Sequence, residues 1–190
     1  MDRDLRHPPS LLRRDNCLLV IIDMQQKLVP LMHERERLVA SVSRLARFAG
    51  IVGLPVVVSE QTNLGPTIGE VASVLPPGAA PVEKISFDCF GCPPFQEKLW
   101  ELERPNLVLA GIESHICVAQ TALSALVGHG VHIIADAVSS RRESNRQVAL
   151  ARLQQAGAVL SSVEMCMYEI LRQAGTDEFR QVLPLVKEDL

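Results

Sequence analysis

The run Cys17-Leu18-Leu19-Val20-Ile21-Ile22 is apolar at all of its positions, and so are Val56-Val57-Val58 and Leu107-Val108-Leu109-Ala110. A strand that is apolar on both faces cannot leave one of them in water. It belongs in a parallel sheet covered by helices on both sides. Further strand candidates follow at intervals, so that the set reads 17–22, 55–59, 81–84, 106–111, 131–135 and 158–160. Between the first two, Leu38, Val42, Leu45, Ala49 and Val52 step by four and three along one helical face, and Gly53 stops the helix expected over 34–52. Helices are also predicted over 118–127, 143–156, 163–173 and 177–187, with 60–80 irregular and 85–94 a loop. Strands alternating with helices make βαβ units, hence an α/β fold with an open sheet.

The chain has 190 residues, 47% of them hydrophobic and 22% charged. It is long enough for one well-filled domain, and too apolar to be disordered. Residues 1–15 read as a polar arm on a single domain spanning 1–190. A net charge of −3 offers no basic footprint for nucleic acid and no polybasic patch for a membrane. No apolar run approaches the ~18 residues that span a bilayer. The start Met1-Asp2-Arg3-Asp4 lacks the apolar core of a signal peptide, so the expected location is cytoplasmic. The five cysteines, at 17, 89, 92, 117 and 166, are odd in number and irregular in spacing, which excludes a secreted disulfide framework. Cys89 and Cys92 have CxxC spacing, but Pro93-Pro94 follows directly and nothing completes a zinc site.

Ligands of an open parallel sheet bind beyond the carboxyl ends of its strands. The polar residues there are Asp23 after the first strand, Glu60 and Gln61 after the second, Lys84 after the third and Asp136 after the fifth. Asp23-Met24-Gln25-Gln26 fits a helix capping box, but a carboxylate closing an apolar strand also suits general-base work. Lys84 reads as an edge-strand gatekeeper or as the cation beside that carboxylate. After the fourth strand, Gly111 frees the turn and Cys117 falls at the start of a helix. There the dipole and free N–H groups favour a thiolate and form an oxyanion hole. The alternative is that Cys117 is a small buried apolar residue. His115, two residues earlier, is either its base or solvent-facing. His129 and His132 read as surface or core histidines, Asp136 with Ser139, Ser140 and Arg141 as a pinned turn, and Phe87 and Phe90 as loop packing or an acyl-site wall.

These residues carry a resemblance. Leu18-Leu19-Val20-Ile21-Ile22-Asp23-Met24-Gln25, the segment around Lys84, Ala110-Gly111-Ile112-Glu113-Ser114-His115-Ile116-Cys117-Val118 and Ala135-Asp136-Ala137-Val138-Ser139-Ser140-Arg141 resemble the isochorismatase-like cysteine hydrolases, which include nicotinamidases and N-carbamoylsarcosine amidases. The likeness runs from about residue 15 to 172. It implies a three-layer fold with strand order 3-2-1-4-5-6 and a catalytic triad of Asp23, Lys84 and Cys117. It also implies a cis peptide at Ile112–Glu113 that aims the backbone N–H groups of Glu113 and Cys117 at one oxyanion. Glu60-Gln61 and Leu64-Gly65-Pro66-Thr67 look most like the isochorismatase-domain subgroup whose substrates are mostly unassigned. No histidine stands where nicotinamidases build a metal site, so no metal or cofactor is expected. Cys117 also argues against vinyl-ether cleavage by isochorismatases proper, which lack the nucleophilic cysteine. The expected activity is hydrolysis of a C–N bond in a small amide or ureido compound, by a chain that forms homo-oligomers. The competing readings are a thiol redox protein using Cys89 and Cys92, and a non-catalytic small-molecule binder.

Overall fold

The computed structural model describes residues 11–188. Strands β1 (Cys17–Ile22), β2 (Val56–Gln61), β3 (Pro81–Lys84), β4 (Asn106–Ile112), β5 (Gly130–Ser139) and β6 (Val159–Ser161) form one all-parallel sheet in the order β3-β2-β1-β4-β5-β6. This is the predicted order. All six residues of β1 are buried, because the pleat sends them alternately into two separate cores. Cys17, Leu19 and Ile21 meet α1 (Arg35–Val52), α6 (Val163–Leu171) and α7 (Asp177–Val186) through Leu38, Val42, Leu45, Met167 and Val182. Leu18, Val20 and Ile22 meet α3 (Pro93–Leu102), α4 (Ala119–Ala125) and α5 (Glu143–Gln155) through Phe95, Leu99, Ala122 and Leu153. Each fully buried Leu, Ile or Phe contributes roughly 1.5–3 kcal/mol, so both faces need their helices.

The register brings the strand ends together. Ile22 lies opposite Ser59 of β2 on one side and Gly111 of β4 on the other, and Gln61 lies opposite Lys84 of β3. Gly111 is inside β4, not after it. It adopts φ +110°, and a Cβ there would sit 2.1 Å from the carbonyl oxygen of Ile22. Only glycine admits this approach of the two central strands.

Several elements differ from expectation. The predicted strand 131–135 is the longer Gly130–Ser139, because past a register irregularity between Leu109 and Gly111 the residues Val138 and Ser139 pair with Gly111 and Ile112. The short α2 (Gly69–Ala72) lies in the stretch read as irregular. The stretch read as a loop holds a 3₁₀ turn over Cys89–Gly91, and α3 starts at Pro93. The two prolines open that helix, since a missing N–H costs nothing in the first turn. Of the arm expected over 1–15, residues 1–10 lie outside the described residues. Beyond them Leu12 is fully buried, with its N–H on the Glu169 carboxylate at 2.9 Å. No helix among the described residues is long and apolar enough to cross a membrane.

His132 of β5 is 1% exposed, and its Nδ1 has no hydrogen-bond partner. Burial holds its pKa below the ordinary value, against the weaker opposite pull of Glu169. The unfolded chain takes up this proton near pH ~6.5 while the folded chain does not. Stability therefore falls as pH drops through that value and levels off below the folded pKa. His132→Met should reduce the difference between urea midpoints at pH 7.5 and 5.5 relative to the parent protein. Gly111→Ala should cost about 3 kcal/mol or more, or prevent folding, as read from the urea midpoint.

Candidate active site

Asp23 follows the last residue of β1 and is fully buried. Its N–H donates to the carbonyl of Ser59 at 3.1 Å, continuing the ladder one step past the strand. No helix begins there, which removes the capping-box reading. The chain turns back at Asp23 with φ +52°, and Gln25 bridges to Thr67. The carboxylate is used from both sides: Oδ1 accepts from the Ser59 hydroxyl at 2.8 Å, and Oδ2 accepts from Lys84 Nζ at 2.8 Å. The Lys84 side chain is 1% exposed, so it is not a solvated gatekeeper. Its long stem passes over β2 to reach β1, and its ammonium also donates to Gln61 Oε1 at 2.9 Å. Gln61 is held in turn, with its Nε2 on the carbonyl of Ile85 and its N–H on Gln25 Oε1. Burial is the largest single influence and works against the Lys84 charge, but the charge and hydrogen bond of Asp23 together with the other acidic groups around it outweigh it, and the pKa lies above its ordinary value.

Cys117 is 6% exposed and lies in the π-helical turn Ser114–Val118 that leads into α4. The expected thiolate-favouring helix start is not what surrounds it. Burial first, then the negative charge of Asp23, push the thiol up to about 12, against the pull of the Lys84 ammonium. The resting thiol keeps its proton, beside a carboxylate able to accept it. Asp23, Lys84 and Cys117 are thus one coupled group, built from the ends of β1 and β3 and the turn after β4. The peptide Ile112–Glu113 is cis.

Both ring nitrogens of His115 are engaged away from the thiol. Its Nδ1 meets the Ser140 hydroxyl at 3.0 Å and its Nε2 meets the Asn145 amide at 3.3 Å. Glu60 binds the N–H and hydroxyl of Thr67, both at 2.7 Å. Glu60 and Gln61 border a cleft of about 360 Å³ with Gln25, Asn63, Gly65 and Glu83. A larger one, about 470 Å³, opens at the other end of β2 between α1 and α3, away from the coupled group. Phe90 packs edge-on against Phe95, with centroids 5.9 Å apart, and Phe87 is exposed. His129 lies tilted against Phe90, with ring centroids 6.0 Å apart. Asp136 caps α6, accepting from the N–H of Val163 at 2.9 Å.

Cys89 and Cys92 are both buried, with the Cys92 thiol 3.5 Å from the carbonyl of Glu83. The two are free cysteines, not joined by a disulfide. Cys89 instead belongs to the surroundings of the coupled group. Its N–H binds the Thr121 hydroxyl at 3.0 Å, and burial pushes its thiol up to about 11 although Thr121 and Lys84 draw it down. Sequence reading did not assign Ser59 or Cys89 to the site. For Ser59 the signal was available: it is the first polar residue after Val56-Val57-Val58, as Asp23 is after β1. Cys89 had no such signal, since only packing brings it there. Among the described residues no group of three or more His, Cys, Asp or Glu side chains is arranged to hold a metal ion.

The Isochorismatase domain family model matches residues 17–165. Isochorismatase domain-containing protein 2 of Bos taurus is 35% identical over 180 residues, which cover 91% of this chain and 84% of the bovine one. The MAR1 ribonuclease structure from Caenorhabditis elegans matches with a TM-score of 0.89 at 29% identity, over 94% of this chain and 93% of that one. The YcaC gene product of Escherichia coli, described as an octameric hydrolase of unknown specificity, matches with a TM-score of 0.84 at 24% identity, over 95% and 89% of the two chains, a likeness of fold.

The charges around Cys117 act in opposite directions, so two variants should diverge. Asp23→Asn removes the group that holds the thiol proton, and iodoacetamide labelling of Cys117 at pH 8 should accelerate about tenfold. Lys84→Met removes the cation and should slow it by a similar factor. Each change leaves its partner unpaired at a cost of about 3 kcal/mol, so rates are compared where circular dichroism shows both variants folded.

Proposed function

The chain belongs to the isochorismatase family, a family of hydrolase kind, and on that premise we propose that it is a cysteine-dependent amidohydrolase acting on a small amide or ureido compound. The observation that carries this reading is the buried Asp23–Lys84 pair, 2.8 Å apart and charge-coupled to a buried, protonated Cys117. Asp23 accepts the thiol proton as Cys117 Sγ attacks the substrate carbonyl carbon. The negative charge moves from the carboxylate to the carbonyl oxygen, where the backbone N–H groups of Glu113 and Cys117 receive it. Collapse of the tetrahedral intermediate expels the amine, which takes the proton from Asp23, and leaves a thioester on Cys117. Water, deprotonated by Asp23, attacks the thioester and releases the acid and the thiol. Lys84 stays charged throughout and holds the carboxylate in place through its hydrogen bond to Oδ2.

The substrate is a neutral or weakly charged small molecule. A net charge of −3 offers no footprint for a nucleic acid, so the ribonuclease name of the Caenorhabditis elegans protein is left with that protein. Self-association is part of the same reading. Ile85, Trp100, Val127 and Val148 are apolar side chains at least 67% exposed on the described surface, and the Escherichia coli relative is described as an octamer.

The test is ammonia release from a panel of small primary amides and ureido compounds, with mass spectrometry of the protein during turnover. An acyl adduct on Cys117 and a loss of about 10³-fold or more in Cys117→Ala are expected, as for a covalent nucleophile. Undiminished turnover by folded Cys117→Ala would overturn the reading.

A further inference from the structure

Three consecutive residues of the turn that leads to Cys117 are fastened to one other segment, the connection from β5 into α5. The Glu113 carboxylate, in a residue 6% exposed, accepts from the Arg141 backbone N–H at 3.0 Å and from Arg141 Nε at 3.1 Å, both on Oε2. The Ser114 hydroxyl donates to the carbonyl of Ser139 at 2.9 Å. His115 meets Ser140 through Nδ1 and Asn145 through Nε2. At its other end the Glu113 carbonyl accepts from the N–H groups of Ile116 at 3.0 Å and Val118 at 3.2 Å. Glu113 is therefore gripped by its side chain and by its carbonyl. Rotation about its backbone, which would re-aim its N–H, breaks bonds at one end or the other. The anchoring segment is itself tied down, because the N–H of His33 donates to the Ser140 carbonyl at 3.0 Å and the Ser139 hydroxyl donates to the His33 carbonyl at 2.6 Å.

We propose that Arg141 is a positioning residue for the oxyanion donors: acting through Glu113, it aims the N–H groups of Glu113 and Cys117 at the oxygen of the tetrahedral intermediate. This rests on the reading of Cys117 as nucleophile. It separates two properties of the site. The charge state of the thiol depends on Asp23 and Lys84, from β1 and β3. Oxyanion geometry depends on Arg141, on the opposite side of Cys117. The Arg141 side chain is 56% exposed, so replacing it leaves both cores intact while the buried Glu113 carboxylate loses its counter-charge.

Two probes read the two properties separately. Alkylation of Cys117 by iodoacetamide forms a carbon–sulfur bond and expels iodide, placing no charge on an oxygen. Reversible addition of propionaldehyde to the same thiol forms a thiohemiacetal. The sulfur–carbon bond forms, the carbonyl π pair moves to oxygen, and Asp23 takes the thiol proton, so the new oxyanion needs the N–H pair. In Arg141→Met the protection of Cys117 by propionaldehyde should weaken about tenfold or more, as expected for a misaimed donor, with the alkylation rate unchanged in protein that circular dichroism shows to be folded. Arg141→Lys should recover part of the protection. Ser140→Ala, which removes only the His115 contact, should move it in the same direction by less. Unchanged protection in Arg141→Met would overturn the inference, and so would a parallel fall of protection and alkylation. A parent protein that is alkylated at Cys117 but not protected by propionaldehyde would overturn it too. Undiminished turnover of the amide panel by folded Cys117→Ala would instead overturn the nucleophile reading beneath it.

Discussion

A carboxylate and an ammonium withdrawn from water destabilise a fold by several kcal/mol each unless they find one another and fill their remaining hydrogen-bonding positions. Asp23 and Lys84 meet both conditions at the carboxyl end of the sheet, with Ser59 and Gln61 as the additional partners. The four residues come from three adjacent strands, so the contact exists only when β3, β2 and β1 are in register. It joins the edge of the sheet to its centre. Its existence also explains why β2 turns polar at Ser59 while its earlier residues are apolar: the long Lys84 stem crosses β2 at that level.

The same pair determines what the thiol next to it can do. Burial and the Asp23 charge keep the proton on sulfur, and the Lys84 ammonium opposes them. Moving the proton from Cys117 to Asp23 changes no net charge in the buried group. It relocates one negative charge beside a fixed cation. Under the proposed amidohydrolase reading, such a site stays protonated at rest and becomes nucleophilic when a substrate carbonyl is there to accept the charge.

On the other side of β1 the constraint is steric. Gly111 lets β4 approach β1 closely enough that the turn after β4 lies beside Asp23. The turn is then held from outside the sheet's centre, by the segment Ser139–Asn145. The site is thus made of a charged half from β1, β2 and β3 and a backbone half from β4 and the β5–α5 connection, and Cys117 stands where they meet.

Much of this was legible in the chain. Continuous apolar runs alternating with helical periodicity suffice for a parallel sheet covered on both faces, because strands such as Cys17–Ile22 have no face that tolerates water. Strand-end reasoning placed Asp23, Lys84 and Cys117 among several candidates, since polar residues interrupting such runs can only lie at the edges of the buried layer, and the family resemblance singled these three out. Helix α3 was not predicted, because Pro93-Pro94 punctuates a loop and opens a helix equally well. Which of these two it does depends on whether Phe95 and Leu99 find a core to enter.

Tertiary structure alone decided the rest. Asp23 and Lys84 are separated by 61 residues, and their 2.8 Å contact follows from register, which no local pattern records. The protonation of Cys117 was misjudged from its place before a helix, because a local dipole is outweighed by desolvation and by a carboxylate from another strand. The fastening of Glu113, Ser114 and His115 to Arg141, Ser139 and Ser140 is likewise a contact between segments some 25 residues apart. Residue types and their periods determine which surfaces are buried and which strand ends carry polar groups. Only the packed chain determines which of those groups face each other, and so which of them set one another's charge.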